Sequence, residues 1–174
     1  NAGNGVLTIE NQGHGTVAGL LLAAQHGSSG TVVVRSQGRL DVSGGASIGD
    51  GSGGNGDAPA LGGLLVEGGS QFTTTGSTFM GRFNNSQGAA TVRGGGSRLS
   101  VGEQLRLGDS GNSRGSLVVE GGARLDVAQD LQVGWMAAGS VNGSSNVSTV
   151  TLSDTGTVAT IGGQLCVGHG AESR

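Results

Sequence analysis

The amino-acid sequence predicts an all-β solenoid, a parallel β-helix of about six coils with three short strands in each. Three observations predict this fold. Near-copies of one segment recur along the 174 residues, and the apolar residues of each copy stand two positions apart. Glycine contributes 39 residues and aromatic residues only 2%, a composition that suits a thin, repetitive core better than a large globular one.

The repeat becomes clear when its copies are aligned on the glycine that closes each one. The closing glycines are separated by 32, 27, 26 and 34 residues, at Gly49, Gly81, Gly108, Gly134 and Gly168. The short steps predict a period of about 26 or 27 residues, and the long steps predict loop insertions at 50–62 and 135–147. A degenerate first coil at 5–24 completes the prediction of one β-helix domain over residues 1–174.

Three apolar pairs in each copy predict its three strands. In the copy "GSLVVEGGARLDVAQDLQVG" the pairs are Leu117 with Val119, Leu125 with Val127, and Leu131 with Val133. Glycine and β-branched residues interrupt every window that would suit a helix. Runs such as "VEGGA" and "VRGGGS" predict the corners, because glycine adopts positive φ without steric cost.

Two departures from the repeat carry expectations of their own. The copies that contain Ala90 and Val150 have one extra residue before their second strand, which predicts a bulge at the first corner. The second copy places Thr74 and Thr78 at apolar positions, so the sequence predicts the packing of that copy least well.

Stacked coils place equivalent solvent-facing residues side by side, and two charged columns result. The first follows strand one of each copy and alternates in sign through Arg35, Glu67, Arg93 and Glu120. The second lies on strand two, where arginines stand beside aspartates at Arg39, Arg98, Arg124, Asp41 and Asp126. This second column is either a ligand-binding stripe or a solvated face that fixes the strand register.

The motifs that could carry catalysis lack the context that catalysis needs. "GASIG" matches a nucleophile elbow around Ser47, but "DGSGGNGDAPALGG" follows where the elbow requires a helix. Stacking would leave Asp41 and Asp126 about 14 Å apart, too far for a glycosidase pair. The sequence therefore predicts no catalytic residue and no enzymatic activity.

No cofactor or metal is predicted either. The histidines stand apart from one another at His14, His26 and His169, and the single cysteine excludes an intrachain disulfide framework. "GGNGDAP" is similar to a calcium-binding nonapeptide, but Asp57 falls one place early, so calcium binding in loop 50–57 stays open. Trp135 and Met136 begin the longer insertion, as an exposed interaction spot or as a cover over the rod.

The charge and hydropathy of the chain exclude two classes of partner. The 9 basic residues are all arginine and face 12 acidic ones, without the clustered basic surface that nucleic acid requires. No apolar run of about 18 residues predicts a membrane span. The opening "NAGNGVLTIE" has no charged segment followed by an apolar one, so no signal peptide is predicted there.

The repeat "GSLVVEGGARLDVAQDLQVG" and its variants resemble the glycine-rich repeats of autotransporter passenger domains, which use type V secretion, and of related exported proteins. The resemblance implies a right-handed parallel β-helix, secreted and displayed on the outer surface of a Gram-negative bacterium. It also implies that this chain is a fragment of a longer passenger. No catalytic residue carries over, because the repeats contain none.

The function implied by this resemblance is that of a surface scaffold or adhesin segment, active in adhesion, autoaggregation or the display of another domain. Its expected partners are host-cell or bacterial surface molecules, protein or glycan, or a second copy of the chain. Loops 50–62 and 135–147 are the candidate contact regions. The alternative is a carbohydrate-active β-helix that binds or cleaves polysaccharide in a groove on one face.

Overall fold

The computed structural model describes residues 3–52, 58–83, 85–135 and 146–168. Within these ranges the chain forms 18 strands and no helix, which confirms the all-β prediction. The strands follow one another in six coils of three: β1 (Asn4–Ile9), β2 (His14–Val17), β3 (Leu20–Leu22); β4 (Ser29–Val34), β5 (Arg39–Val42), β6 (Ala46–Ile48); β7 (Ala60–Glu67), β8 (Gln71–Thr74), β9 (Thr78–Met80); β10 (Ser86–Arg93), β11 (Arg98–Val101), β12 (Leu105–Leu107); β13 (Arg114–Glu120), β14 (Arg124–Val127), β15 (Leu131–Val133); β16 (Thr149–Leu152), β17 (Val158–Ile161), β18 (Leu165–Val167).

Each strand pairs in parallel with its equivalent in the next coil, so three six-stranded sheets run along the rod. Sheet A holds the first strand of every coil, sheet B the second and sheet C the third. The predicted first coil belongs to the stack, since Leu7 pairs with Val32 and Leu22 with Ile48. The protein is therefore a parallel β-helix, as the repeat predicts.

The core is a stack of the apolar pairs that the sequence places two residues apart. In β14, Leu125 and Val127 are buried whereas Arg124 is exposed, and the other inner coils repeat this alternation. The two threonines of the third coil also face inward, and they hydrogen-bond to each other at 3.0 Å between Thr74 Oγ1 and Thr78 Oγ1. Thr74 Oγ1 also donates to the Gly76 carbonyl oxygen at 3.1 Å, which leaves Thr78 as the donor between the two, so both hydroxyl groups are accommodated inside this coil.

The first corner, between sheets A and B, absorbs the extra residue of two copies. In the fourth coil, Gly94 and Gly96 have positive φ and Gly95 lies between them, whereas Gly121 and Gly122 are adjacent in the fifth coil. The flanking strands keep their pairing with the neighbouring coils. The expected bulge is thus an enlarged turn, and it leaves the strand register unchanged.

The corner between sheets C and A explains why each copy ends on glycine and the next strand begins near another. Gly49 and Gly81 have φ of 73° and 69°, in the left-handed region. A Cβ at Gly62 would lie 2.0 Å from the amide nitrogen of Gly49, and a Cβ at Gly88 would lie 2.0 Å from the carbonyl oxygen of Ile48. Only glycine lets the turn pack directly on the strand that follows.

The same corner carries both predicted insertions. The segments that join sheet C to sheet A are 23–28, 49–59, 81–85, 108–113 and 134–148, and we call this edge the variable corner. The other two corners hold between two and five residues in every coil. The first insertion ends before the predicted position 62, because β7 begins at Ala60. The large differences in loop length therefore fall on one edge of the rod.

Candidate functional site

Asp126 lies between two arginines on the outer face of sheet B, as the strand-two column predicts. Arg98 Nε and Arg124 Nε donate to Asp126 Oδ2 at 2.6 and 2.8 Å. Burial by itself raises the pKa of Asp126, but the hydrogen bonds and charges of Arg124 and Arg98 outweigh it, so the pKa lies below its ordinary value. The carboxylate thus ties two successive coils together.

Asp41 occupies the same column nearer the start of the chain. Its Oδ2 accepts from Arg39 Nε at 2.7 Å and contacts His14 Nε2 of the preceding coil at 2.8 Å. Burial raises the pKa of Asp41, and the bonds and charges of Arg39 and His14 lower it further than burial raises it. Asp41 and Asp126 are three steps apart in the strand register, about 14 Å, so they form no catalytic pair.

These depressed pKa values predict an acid-sensitive contribution to stability. A carboxyl whose pKa is lower in the folded state than in the unfolded state, where it is about 3.9, stabilises the fold when the pH is above about 3.9. This stabilisation is lost as the pH falls through the folded-state pKa. We therefore expect Asp126→Asn to destabilise the protein most at neutral pH and progressively less below about pH 4. Urea unfolding between neutral and acidic pH measures this difference.

A neighbour in the same column serves as the control for that experiment. Ser100 lies beside Asp126 in the register and does not titrate, so Ser100→Ala should give a pH-independent difference from the wild type. A constant difference for Asp126→Asn as well would contradict the stabilising role of its carboxylate.

The first charged column forms ion pairs between successive coils. Arg35 Nε donates to Glu10 at 2.6 Å and Arg93 Nε donates to Glu67 at 2.7 Å, in each case toward the preceding coil. These arginine side chains are about half exposed. Solvent-exposed ion pairs such as these help to fix the strand register but contribute little free energy. The first column therefore behaves as a solvated face, which is one of the two alternatives that the sequence offers for the column on strand two.

A second surface, which the sequence reasoning did not single out, lies on sheet C beside the variable corner. Arg82 Cζ lies 4.4 Å from the ring centre of Phe79 and 4.9 Å from that of Phe83, so its guanidinium contacts both rings. Arg106 Cζ lies 5.8 Å from Phe79 and 5.6 Å from Trp135. We call these five residues the arginine–aromatic cluster. It alternates rings with cations, an arrangement favoured by the ring quadrupole.

Each member of the cluster occupies a position of the repeat that also exists in the other coils. Phe79 and Arg106 are the outward residues at the centre of β9 and β12 and are direct partners in the strand register. Arg82, Phe83 and Trp135 stand one or two residues after a closing glycine, on the turns of the variable corner. The chain has three phenylalanines and one tryptophan, and every one except the core residue Phe72 belongs to the cluster.

Asp50 supports the cluster from beneath. It is 1% exposed, accepts from Ser47 Oγ at 2.6 Å and from the Ser52 amide at 3.2 Å, and lies 3.7 Å from Arg82 Nη1. The Ser47 hydroxyl is therefore engaged by a buried carboxylate, and β6 continues into a turn, not the helix of a nucleophile elbow. Ser47 is a structural residue of this corner.

Asp109 occupies the equivalent position two coils further along. Arg106 Nη1 donates to Asp109 Oδ1 at 3.1 Å, and Arg106 also donates to Gln104 Oε1 at 2.7 Å. Burial raises the pKa of Asp109 above its ordinary value, and the bond from Arg106 and the charges of Arg106 and Arg82 offset only part of that rise. A carboxyl with a raised pKa that is bonded to an arginine of this cluster marks a candidate binding site.

A depression adjoins the cluster on sheet C. Its volume is about 320 Å³, Phe79 and Arg82 form one wall, and Leu21, which is 56% exposed, forms the other. Gly45 and Ser47 lie between them. Gly45, the residue directly before β6, has no side chain, so the surface is concave at this point.

The other predicted site residues are dispersed. Met136 and Asp57 lie outside the described residues, as does His169, so the calcium expectation for loop 50–57 is untested. His26 Nδ1 lies 3.2 Å from the Ala58 carbonyl oxygen, and Cys166 is a free thiol. Over the described ranges, no group of three or more potential ligand side chains could hold a metal ion.

Comparison with known proteins gave no relative: no family model, no curated protein and no solved structure matches the chain. The part of the chain that the structure describes also contains no helix of the length and apolar character that a membrane span needs.

Proposed function

We propose that this protein is a non-enzymatic, rod-shaped scaffold on the bacterial cell surface, an adhesin segment of an autotransporter passenger that makes contacts through its variable corner. One observation carries the proposal. The strands of sheets B and C have four and three residues in every coil and two corners hold two to five residues, whereas the variable corner ranges from 81–85 to 134–148. Function concentrates on variable loops that a rigid scaffold positions.

The side-chain chemistry supports a binding role. Ser47 and Asp50 are buried against each other, Asp41 is engaged by Arg39 and His14, and Asp126 is engaged by two arginines. Among the described residues of the variable corner, the exposed or partly exposed side chains include Arg82, Phe83 and Trp135. Such residues dominate binding hot spots. The expected partner is a surface molecule of a host or bacterial cell, or a second copy of the chain.

Replacement of the two long loops tests this function. We expect cells that display the chain to lose adhesion and aggregation when 49–59 and 134–148 are each replaced by the shorter corner 108–113. The physical reason is that 108–113 already joins sheet C to sheet A in the fourth coil, so it can preserve strand pairing while the longer contact surface is removed. Cell adhesion and settling assays measure the loss, and circular dichroism of the purified chain checks that the β-helix remains.

The charged residues on the outer face of sheet B provide a matched control on another face of the rod. The triple variant Arg39→Ala, Arg98→Ala, Arg124→Ala should retain adhesion. If instead it abolishes concentration-dependent light scattering and aggregation, side-on self-association through sheet B replaces the variable corner as the contact. Unchanged adhesion in the loop-replaced variant would contradict the proposed function.

A second candidate, a polysaccharide-cleaving β-helix, is suggested by two carboxylates whose coil spacing lies just above the range of a glycosidase pair. Asp50 and Asp109 are equivalent residues two coils apart, a backbone separation of about 10 Å, while inverting glycosidases place their carboxyl groups roughly 6.5–9.5 Å apart. Asp109 also has the raised pKa of a general acid. Burial of Asp50 beneath Arg82 argues against this candidate. Release of reducing ends from a glycan, abolished by Asp109→Asn, would favour it.

A further inference from the structure

We propose that the arginine–aromatic cluster binds a linear, uncharged, β-linked glycan that lies along the rod axis. This inference rests on the proposed function, and it names the ligand class of the contact surface. Four features of the described residues carry it: the aromatic rings, the planar hydrogen-bonding groups, the balance of charge and the spacing of the coils.

The aromatic rings supply platforms for sugar rings. One face of a β-linked pyranose carries axial C–H bonds, which stack on the negatively charged face of an aromatic ring. Phe83 is 37% exposed, and Arg82 contacts it and Phe79 at 4.9 and 4.4 Å. The guanidinium groups thus hold the rings in place before a ligand arrives, which lowers the entropic cost of binding.

The polar groups of the cluster are planar and can engage pairs of neighbouring hydroxyl groups. The side chains of Arg82 and Arg106 are 37% and 28% exposed, and Asp109 is 16% exposed. Arg106 is oriented by Asp109 and by Gln104 Oε1, so its guanidinium has a fixed plane. Sugar hydroxyls are both donors and acceptors, and they match a surface that offers carboxylate and guanidinium side by side.

The balance of charge favours an uncharged glycan over an acidic one. Arg82 and Arg106 are neutralised by Asp50 and Asp109, and Arg82 acts on both of these carboxyl groups. No cation of the cluster is left to attract the carboxylates or sulfates of an acidic polysaccharide. The net charge of the whole chain, −3, also disfavours such a ligand.

The spacing of the coils matches a glycan chain. Successive coils are about 4.8 Å apart, close to the advance per sugar in an extended β-linked chain. Phe79 belongs to the third coil and Trp135 follows the third strand of the fifth, so the two rings lie about two coil spacings apart along the rod. In a β-linked chain every second sugar presents the same face. An extended polypeptide presents the same face every two residues, about 6.6–6.8 Å, which does not match two coil spacings, and the depression beside Phe79 can take a terminal ring.

The single tryptophan allows direct measurement on the purified full chain. We expect cellohexaose or chitohexaose to change the fluorescence of Trp135 in a saturable manner. Phe83→Ala should weaken binding by roughly tenfold, the equivalent of about 1.4 kcal/mol, as should Arg82→Lys, which keeps the charge but loses the planar stack. Arg124→Ala, on sheet B, is the matched control and should leave affinity unchanged.

Calorimetry of Trp135→Ala completes the test, because this variant is silent in fluorescence. Its affinity for the hexasaccharide should also fall by roughly tenfold. The inference is overturned if neither hexasaccharide binds, or if only polygalacturonate oligomers bind, which would indicate an acidic glycan. Binding of gelatin alone would indicate a protein partner. Equal weakening by Phe83→Ala and Arg124→Ala would also overturn it.

Failure of the inference can be separated from failure of the proposed function. If loop replacement abolishes cell adhesion while the hexasaccharides do not bind, the scaffold function stands and the glycan assignment is wrong. If the hexasaccharides bind through Phe83 and Trp135 but loop replacement leaves adhesion intact, the glycan site stands and the adhesin function is wrong.

Discussion

Substitution of Gly88 by alanine is expected to destabilise the β-helix by about 3 kcal/mol or more, at or beyond the upper end of overpacking effects. The new Cβ would lie 2.0 Å from the carbonyl oxygen of Ile48 and 2.5 Å from the amide nitrogen of Gly81. Both are backbone atoms, at the end of β6 and directly after its paired strand β9, so no side-chain rotation can relieve the contact. Sheet A would have to separate from the variable corner.

Gly95 offers a matched control for this prediction. It lies in the enlarged turn of the fourth coil, and a Cβ there would have no neighbour within 4 Å. Gly95→Ala should therefore change stability by no more than about 0.5 to 1 kcal/mol, through the entropy of the unfolded chain. Urea unfolding followed by circular dichroism compares the two. Equal midpoints for Gly88→Ala and Gly95→Ala would contradict the role assigned to close packing at this corner.

The fold could be predicted from the sequence because its determinants are periodic. Leu125 and Val127 stand two residues apart and recur at a nearly fixed interval, so strand, face and coil follow from counting. The same counting places Arg98, Arg124 and Asp126 in one column, where the structure confirms their contacts. Counting residues cannot predict a side-chain hydrogen bond within one coil, such as the one between Thr74 and Thr78.

The arginine–aromatic cluster could not be predicted in the same way, because its members occupy two different kinds of position. Phe79 and Arg106 are outward strand residues, whereas Arg82, Phe83 and Trp135 lie on turns whose lengths differ. Only the path of the variable corner brings them together. One signal was nevertheless present in the sequence: every aromatic residue except Phe72 falls on an outward position of strand three or just after a closing glycine.

Phe72→Ala is expected to cost about 3–5 kcal/mol, the range for removing a buried phenylalanine. Phe72 is 0% exposed and has the largest of the fully buried side chains. It stacks between Leu40 of the coil before and Leu99 of the coil after, so its removal opens a cavity flanked by two further coils. Since neighbouring coils stabilise one another in a solenoid, we expect the lost contacts to lower the cooperativity of unfolding as well.

Phe72→Leu distinguishes a cavity from the loss of a specific aromatic contact. Leucine occupies the equivalent position in the coils on either side, at Leu40 and Leu99, so the backbone accepts it there. The smaller volume change should cost about 1.5 kcal/mol or less. Urea unfolding of both variants measures the difference. If Phe72→Leu destabilised the protein as much as Phe72→Ala, the ring itself, and not the volume that it fills, would be what the third coil requires.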